Sequence, residues 1–157
     1  MLYVFYYDFP APVGRLGIAA NDAGLTHIFP ARDCPVENAV SLEIPHISEA
    51  AKQLREYFSG TRKVFELPLS PQGTAFRQKV WNALLAIPYG QTCSYKDVAV
   101  RIQTPKGFQA IGQANAHNPL PFVIPCHRVI AADGSLGGYS LGLDLKVWLL
   151  NLECNNL

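Results

Sequence analysis

Over the first thirty positions of the chain, short apolar runs rich in β-forming residues alternate with polar, turn-forming segments. Closely spaced β-forming runs bounded by turn residues are typical of consecutive antiparallel strands. Further on, apolar side chains recur every three or four positions, with Ser48 as a candidate N-cap and Gly60 as a stop, which predicts an amphipathic helix. The predicted strands are residues 2–9, 14–20 and 25–29, and the predicted helix is residues 46–58.

A change of pattern marks a domain boundary. Residues 67–73, Leu-Pro-Leu-Ser-Pro-Gln-Gly, are rich in breakers, and helical spacing replaces the strand pattern after them. We expect an N-terminal domain over 1–67, a linker over 68–73 and a C-terminal domain over 74–157. The predicted fold class is α/β of the α+β kind, with a small N-terminal antiparallel sheet and one helix followed by a mostly helical domain.

The C-terminal domain has four helical signals. The first helix follows Thr74 as N-cap and ends before Pro88. Ser94 and Asp97 have the spacing of a capping box and begin a second, short helix, and a third covers residues 108–117. Because the turn between these two short helices contains glycine, the pair is typical of a helix-turn-helix. The fourth helix has an apolar face formed by Leu145, Trp148, Leu149 and Leu152.

Two further predictions concern the third helix and the segment between it and residue 126. The helix is expected to bury Phe108, Ile111 and either Ala114 or Asn115 on successive turns. The segment 119–125 is apolar, but its three prolines limit any strand there to a brief, edge-like piece.

Composition narrows the function classes. The 157 residues are 49% hydrophobic, with no run of about 20 apolar residues and no signal sequence, so we expect a cytoplasmic protein with no membrane partner. The four cysteines are scattered and metal-ligand spacing is absent, so reduced thiols and neither metal nor cofactor are predicted. Residues 1–70 contain six basic and eight acidic side chains, against seven and four in 71–157, which permits a nucleic-acid partner without requiring one.

Cys126 is the residue with the strongest chemical signal. His127 follows it directly, and apolar residues and prolines enclose both. A thiol is a strong nucleophile only as its thiolate, and an adjacent imidazole is a common means of removing the proton; a buried, inert cysteine is the alternative. Glu153 lies at the end of the last predicted helix, where a carboxylate opposes the helix dipole, so it is either solvent-exposed or paired with a group elsewhere.

Several segments, in order, resemble the O6-alkylguanine-DNA alkyltransferases, also called methylated-DNA–protein-cysteine methyltransferases. The resemblance covers most of residues 73–154, whereas residues 1–67 agree only in length and general character. The cysteine motif, Pro-Cys-His-Arg-Val at 125–129, follows an Asn-Pro pair and precedes a Leu-Leu-x-x-Glu helix. The other matching segments are Gly-Thr-Ala-Phe at 73–76, Val-Trp at 80–81, Ile-Pro-Tyr-Gly at 87–90, Ser-Tyr at 94–95, the stretch 110–115 and the stretch 146–153.

The resemblance implies direct reversal of DNA damage, in which Cys126 irreversibly accepts an alkyl group from O6-alkylguanine, with O4-alkylthymine as a second candidate substrate. It implies that His127 draws off the thiol proton through a water and that Glu153 orients the imidazole and stabilises its cation, which favours a paired Glu153. Tyr95 would donate a proton or hydrogen bond to the leaving guanine. Asn118 would fix the turn that leads to the active-site segment.

The partner implied is double-stranded DNA containing O6-alkylguanine, which we expect a monomer to bind. Chemistry on a stacked base requires its extrusion into a pocket, and the helix-turn-helix would serve that step. The DNA-binding residues implied are Gln109, Ala110 and Asn115, and the guanine-pocket residues are Val129, Tyr139 and Ser140.

The chain departs from the family pattern at two positions. Gln109 stands where the family usually has an arginine that fills the gap left by the flipped base, and glutamine lacks the charge and planar stacking of a guanidinium. We therefore predict weaker extrusion or weaker DNA affinity than an arginine variant would have. Leu141 stands where glycine is common, and its side chain would narrow the range of alkyl groups accepted.

Two alternatives remain open at this point. The missing arginine is compatible with a protein that only binds alkylated DNA as a sensor, although such proteins have another residue in place of Cys126. The second alternative is a cysteine hydrolase built from Cys126, His127 and Glu153, which would turn over repeatedly instead of once.

Overall fold

The structure is a computed structural model that describes all 157 residues. The chain divides into two compact units, Met1–Gln72 and Gly73–Leu157. None of the helices is long and apolar enough to cross a membrane.

The N-terminal unit is a small sheet covered by one helix. Its strands are β1 (Tyr3–Phe9), β2 (Gly14–Ala20), β3 (Leu25–Pro30) and β4 (Val40–Ser41), in the order β3-β2-β1-β4. The three longer strands are antiparallel, as predicted, because short turns join them. The exposed two-residue β4 was not predicted, and it pairs parallel with β1, so the sheet is mixed.

Helix α1 (Pro45–Phe58) packs on this sheet through buried side chains that include Ile47, Leu54 and Tyr57. The predicted N-cap at Ser48 is wrong. Ile44 is the N-cap residue and Pro45 is the first helical residue, a position that proline favours because its φ is already helical.

The C-terminal unit contains four helices and a two-stranded pairing. They are α2 (Ala75–Leu85), β5 (Cys93–Ser94), α3 (Tyr95–Arg101), α4 (Phe108–Ala116), β6 (Val129–Ile130) and α5 (Leu143–Asn155), with β5 parallel to β6. The caps are those predicted: the Thr74 hydroxyl accepts from the Arg77 N–H, and Ser94 with Asp97 forms a capping box. The buried Trp81 indole of α2 donates to the Ala114 carbonyl of α4 at 2.8 Å, which fixes α4 against α2.

Three sequence predictions for this unit are corrected. Phe108 is 47% exposed, because it is the first residue of α4 and lies before the turn of the helix that buries Ile111 and Ala114. Residues 119–125 form turns and no strand, with Phe122 at φ +73°. In α5 only Leu149 of the predicted apolar face is buried, and the fully buried residue beside it is Lys146.

Candidate active site

A rigid turn positions Cys126. Asn118 donates to the Ile124 carbonyl at 2.8 Å and accepts from the Leu120 N–H at 2.9 Å, so it clamps both ends of the turn that precedes the cysteine. Cys126 then begins a single 3-10 turn, Cys126–Arg128, that leads directly into β6. Its side chain is 1% exposed, so it is held among protein atoms in a fixed direction.

Cys126 is followed in the chain by two members of a group that we call the Glu153 cluster, which consists of the buried His127, Arg128 and Glu153 and the partly buried Gly90. The Glu153 carboxylate accepts four hydrogen bonds, from His127 Nε2 at 2.6 Å, Arg128 Nε at 2.9 Å, Arg128 Nη2 at 3.0 Å and the Gly90 N–H at 3.0 Å. Glu153 is therefore paired, as the resemblance implied, because the two-pronged guanidinium outweighs the unfavourable position at the end of α5.

Arg128 is itself anchored beyond the carboxylate. Its Nη1 donates to the Ile87 carbonyl at 2.8 Å, and its guanidinium lies 5.7 Å from the centroid of the Tyr89 ring. A buried charge pair is stable only when such further hydrogen bonds satisfy both groups, and here they do. The Ile-Pro-Tyr-Gly segment thus supplies the backbone and the ring that complete the cluster.

Burial and the contact with Glu153 together determine the protonation state and the tautomer of His127. Burial lowers the pKa of His127, and the hydrogen bond and charge of Glu153 act in the opposite direction. A carboxylate can only accept, so His127 Nε2 carries the proton, and in the neutral ring the lone pair is on Nδ1. His127 is therefore a neutral imidazole whose Nδ1 is suited to take a proton.

Lys146 holds the loop on the other side of the cysteine. Its ammonium donates to the Val129 carbonyl at 2.7 Å and the Gly138 carbonyl at 3.0 Å, and to the Leu136 carbonyl as well. These three acceptors use all three ammonium protons, which is why a lysine can be fully buried here. The lysine ties β6 to the glycine-rich loop at residues 134–138.

The resting thiol is protonated. Burial raises the pKa of Cys126 to about 11, while hydrogen bonds from Asn118 and Tyr139 and the charge of Lys146 act in the opposite direction. These groups favour the thiolate, but burial outweighs them.

Tyr95 and Asn115 flank the cysteine. Burial and the nearby Cys126 raise the pKa of Tyr95, and a hydrogen bond with Asn115 acts in the opposite direction, so the phenol keeps its proton at neutral pH. Asn115 is 5% exposed and donates to the Cys126 carbonyl at 3.4 Å. Of the three predicted DNA-binding residues, Asn115 is thus buried and bound to the Cys126 backbone, whereas Gln109 and Ala110 are exposed.

The predicted guanine-pocket residues differ in burial. Val129 is buried, Tyr139 is partly buried near the sulfur, and Ser140 is exposed. A Cβ at Gly137, which has φ +69°, would lie 3.2 Å from the Tyr95 ring, so the loop approaches that ring closely through a glycine. Leu141, like Tyr139, is partly buried.

Comparison with known proteins shows the family of this chain. The family model described as "6-O-methylguanine DNA methyltransferase, DNA binding domain" matches residues 75–155, and the one described as "6-O-methylguanine DNA methyltransferase, ribonuclease-like domain" matches residues 1–71. The chain belongs to the 6-O-methylguanine DNA methyltransferase family.

Full-length relatives agree with this assignment. The methylated-DNA–protein-cysteine methyltransferase of Methanosarcina barkeri is 46% identical, over 97% of this chain and 99% of its own length. The constitutive enzyme of Bacillus subtilis is 44% identical, over 95% of this chain and 94% of its own. The crystal structure of Mycobacterium tuberculosis OGT in complex with DNA superposes with a TM-score of 0.90 at 38% identity, covering 98% of this chain and 94% of that one.

Two residues of this methyltransferase site were missed by the sequence reasoning, which assigned no role to Arg128 or Lys146. Signals for both exist. Arg128 directly follows the Cys-His pair, and Lys146 lies three and seven positions before Leu149 and Glu153, so a helix places all three on one face. No group of three or more His, Cys, Asp or Glu side chains capable of holding a metal is present.

Proposed function

We propose that this methyltransferase repairs O6-alkylguanine in double-stranded DNA by a single, irreversible transfer of the alkyl group to Cys126. A bond forms between Cys126 Sγ and the alkyl carbon as the bond from that carbon to guanine O6 breaks. The thiol proton is lost and guanine gains one proton, so S-alkylcysteine and unmodified guanine are the only products. O4-alkylthymine is a second substrate of the same chemistry.

The observation that carries this proposal is the position of Cys126 beside a neutral His127 whose Nε2 is bound to Glu153. With Nε2 committed to the carboxylate at 2.6 Å, the imidazole accepts the thiol proton at Nδ1, through a water. The imidazolium that forms is stabilised by Glu153, and Arg128 keeps that carboxylate ionised and correctly oriented. Because burial raises the resting thiol pKa to about 11, the thiol needs a base for alkyl transfer, and His127 is that base.

The remaining site residues act on the base. Tyr95 keeps its proton at neutral pH and donates to the leaving guanine, whose departure requires that developing charge be neutralised. Asn118 fixes the turn before the cysteine, and Val129, Tyr139 and Ser140 line the guanine pocket, whose loop Lys146 secures.

DNA binding is assigned to α3 and α4, the predicted helix-turn-helix. Gln109 and Ala110 are exposed on the first turn of α4, where they can contact DNA during extrusion of the base. We further propose that the protein acts as a monomer in the cytoplasm, where its four free thiols stay reduced.

Mass spectrometry tests the proposal directly. After incubation with a duplex containing one O6-methylguanine, we expect a mass increase of one methyl group per chain, located on the Cys126 peptide and absent from a Cys126→Ser variant. Tight binding to the methylated duplex with an unmodified Cys126 would instead identify a damage sensor. Repeated turnover without a stable adduct would identify a hydrolase.

A further inference from the structure

Phe108 is an exposed aromatic residue at the first position of α4. The other large apolar residue of this helix, Ile111, is fully buried. Because 47% of its surface remains exposed, packing inside the protein accounts for only part of this ring. Its neighbour Gln109, also exposed, is the residue that stands in place of the family arginine.

The helix surface beside these two side chains carries no side chain at Gly112. Gly112 lies one helical turn further on, next to both, and a Cβ built there would meet no atom within 4 Å. Ala116 is exposed and small, and Gln113, one turn after Gln109, is exposed and uncharged. A double helix can therefore approach the backbone of α4 at Gly112, next to the exposed Phe108 and Gln109 of the first turn.

The charges around this surface suit a polyanion. Lys96, Arg101 and Lys106 are exposed on α3 and on the turn before α4, and α4 itself contains no charged residue. The acidic Asp97 is held in the capping box with Ser94. Nothing acidic in the first turn of α4 would repel a phosphate backbone.

We propose that Phe108 enters the base stack as an apolar wedge at the gap left by the extruded nucleotide, while Gln109 hydrogen-bonds the unpaired base. This inference rests on the proposed function. Extrusion costs the stacking of one nucleotide, and inserted apolar side chains are a general means of offsetting that cost. A glutamine amide can satisfy the edge of the unpaired base but stacks poorly, so the two neighbouring side chains divide a task that one arginine performs alone.

The test compares Phe108→Ala, Phe108→Leu and a matched control, Leu85→Ala. Leu85 is 44% exposed at the end of α2, outside the helix-turn-helix. Single-turnover methyl transfer is measured at saturating protein on a duplex containing one O6-methylguanine and on the same strand without its complement. Because base–aromatic stacking is lost, we expect the duplex-to-single-strand rate ratio to fall about tenfold in Phe108→Ala, less in Phe108→Leu, and not at all in Leu85→Ala.

A stacking reporter adds an independent readout. In a Cys126→Ser background, 2-aminopurine next to the lesion should change fluorescence on binding, and Phe108→Ala should remove most of that change. An unaltered rate ratio in Phe108→Ala, or an equal loss in Leu85→Ala, overturns the proposal that Phe108 acts as a wedge. Methylation of Cys126 in the same experiment would still support the repair function. If the unsubstituted protein leaves Cys126 unmethylated, the proposed function fails and the wedge fails with it.

Discussion

Around Glu153 the charges are already paired inside the protein, whereas at the start of α4 the side chains project into solvent. The Glu153 carboxylate accepts four hydrogen bonds and Lys146 makes three, all with partners in the protein itself. Phe108 and Gln109 are exposed. The proposed catalytic groups are therefore preorganised, whereas Phe108 and Gln109 are available to contact DNA. Substitutions in the two regions should consequently affect different measurements.

The largest effect is expected from Glu153→Gln. The substitution leaves Arg128 buried without a counter-charge, so we expect the free energy of unfolding to fall by about 3–5 kcal/mol. It also removes the carboxylate that orients and stabilises His127, so methyl transfer should slow by about a hundredfold or more. Urea denaturation and single-turnover kinetics on a methylated duplex measure the two losses.

A second substitution separates these two causes. Adding Arg128→Met to Glu153→Gln removes the orphaned charge while keeping much of the side-chain volume, so part of the lost stability should return. The transfer rate should remain low, because His127 still lacks its carboxylate. A double variant that recovers the rate along with the stability would show that Glu153 is only a structural residue.

The same contrast explains which parts of the site were predictable from sequence. The capping residues Thr74, Ser94 and Asp97 act over three positions, so local spacing was enough to identify them. Glu153 was left open by its position at a helix end. Its partner His127 is 26 positions away, and only the resemblance linked them.

Burial at helix ends and beside tertiary partners was less predictable. Helical spacing assigned Phe108 to the core, but a residue at the first position of a helix can extend past the surface that covers its neighbours. Lys146 was overlooked because a lysine is rarely buried, and only the carbonyls of Val129, Leu136 and Gly138, brought together by the fold, permit it.

An intermediate effect is expected from Lys146→Met. The ammonium lowers the pKa of Cys126, so its removal should raise that pKa further and reduce the thiolate fraction at any given pH. In the unsubstituted protein the folded-state pKa of about 11 means that thiol alkylation rises with pH well beyond neutrality. In Lys146→Met the same rise should occur at higher pH.

Iodomethane is a suitable probe, because it is small and needs no DNA contact. The extent of Cys126 methylation against pH is read by peptide mass spectrometry, which separates it from the exposed Cys34 and Cys154. These two thiols serve as internal controls, and their profiles should be the same in both proteins. A Cys126 profile that shifts to lower pH in Lys146→Met would contradict the assigned electrostatic role.

The smallest effect is expected from Gln109→Arg, at the exposed start of α4. A guanidinium adds charge and a stacking plane, so duplex affinity or the duplex transfer rate should increase by a few-fold, about 1 kcal/mol or less. Fluorescence anisotropy and single-turnover kinetics on the methylated duplex measure these quantities. Unchanged affinity and unchanged rate together would show that Gln109 supports base extrusion as well as an arginine does.

Combining Gln109→Arg with Phe108→Ala sharpens the comparison further. If the phenylalanine fills the stack, the arginine has little to add while that ring is present and more to add once it is gone. The gain from Gln109→Arg should therefore be larger in the Phe108→Ala background, because adjacent residues serving one gap are not additive. Equal gains in the two backgrounds would mean that Phe108 and Gln109 act independently. The two side chains would then not share the role that one arginine has in the family.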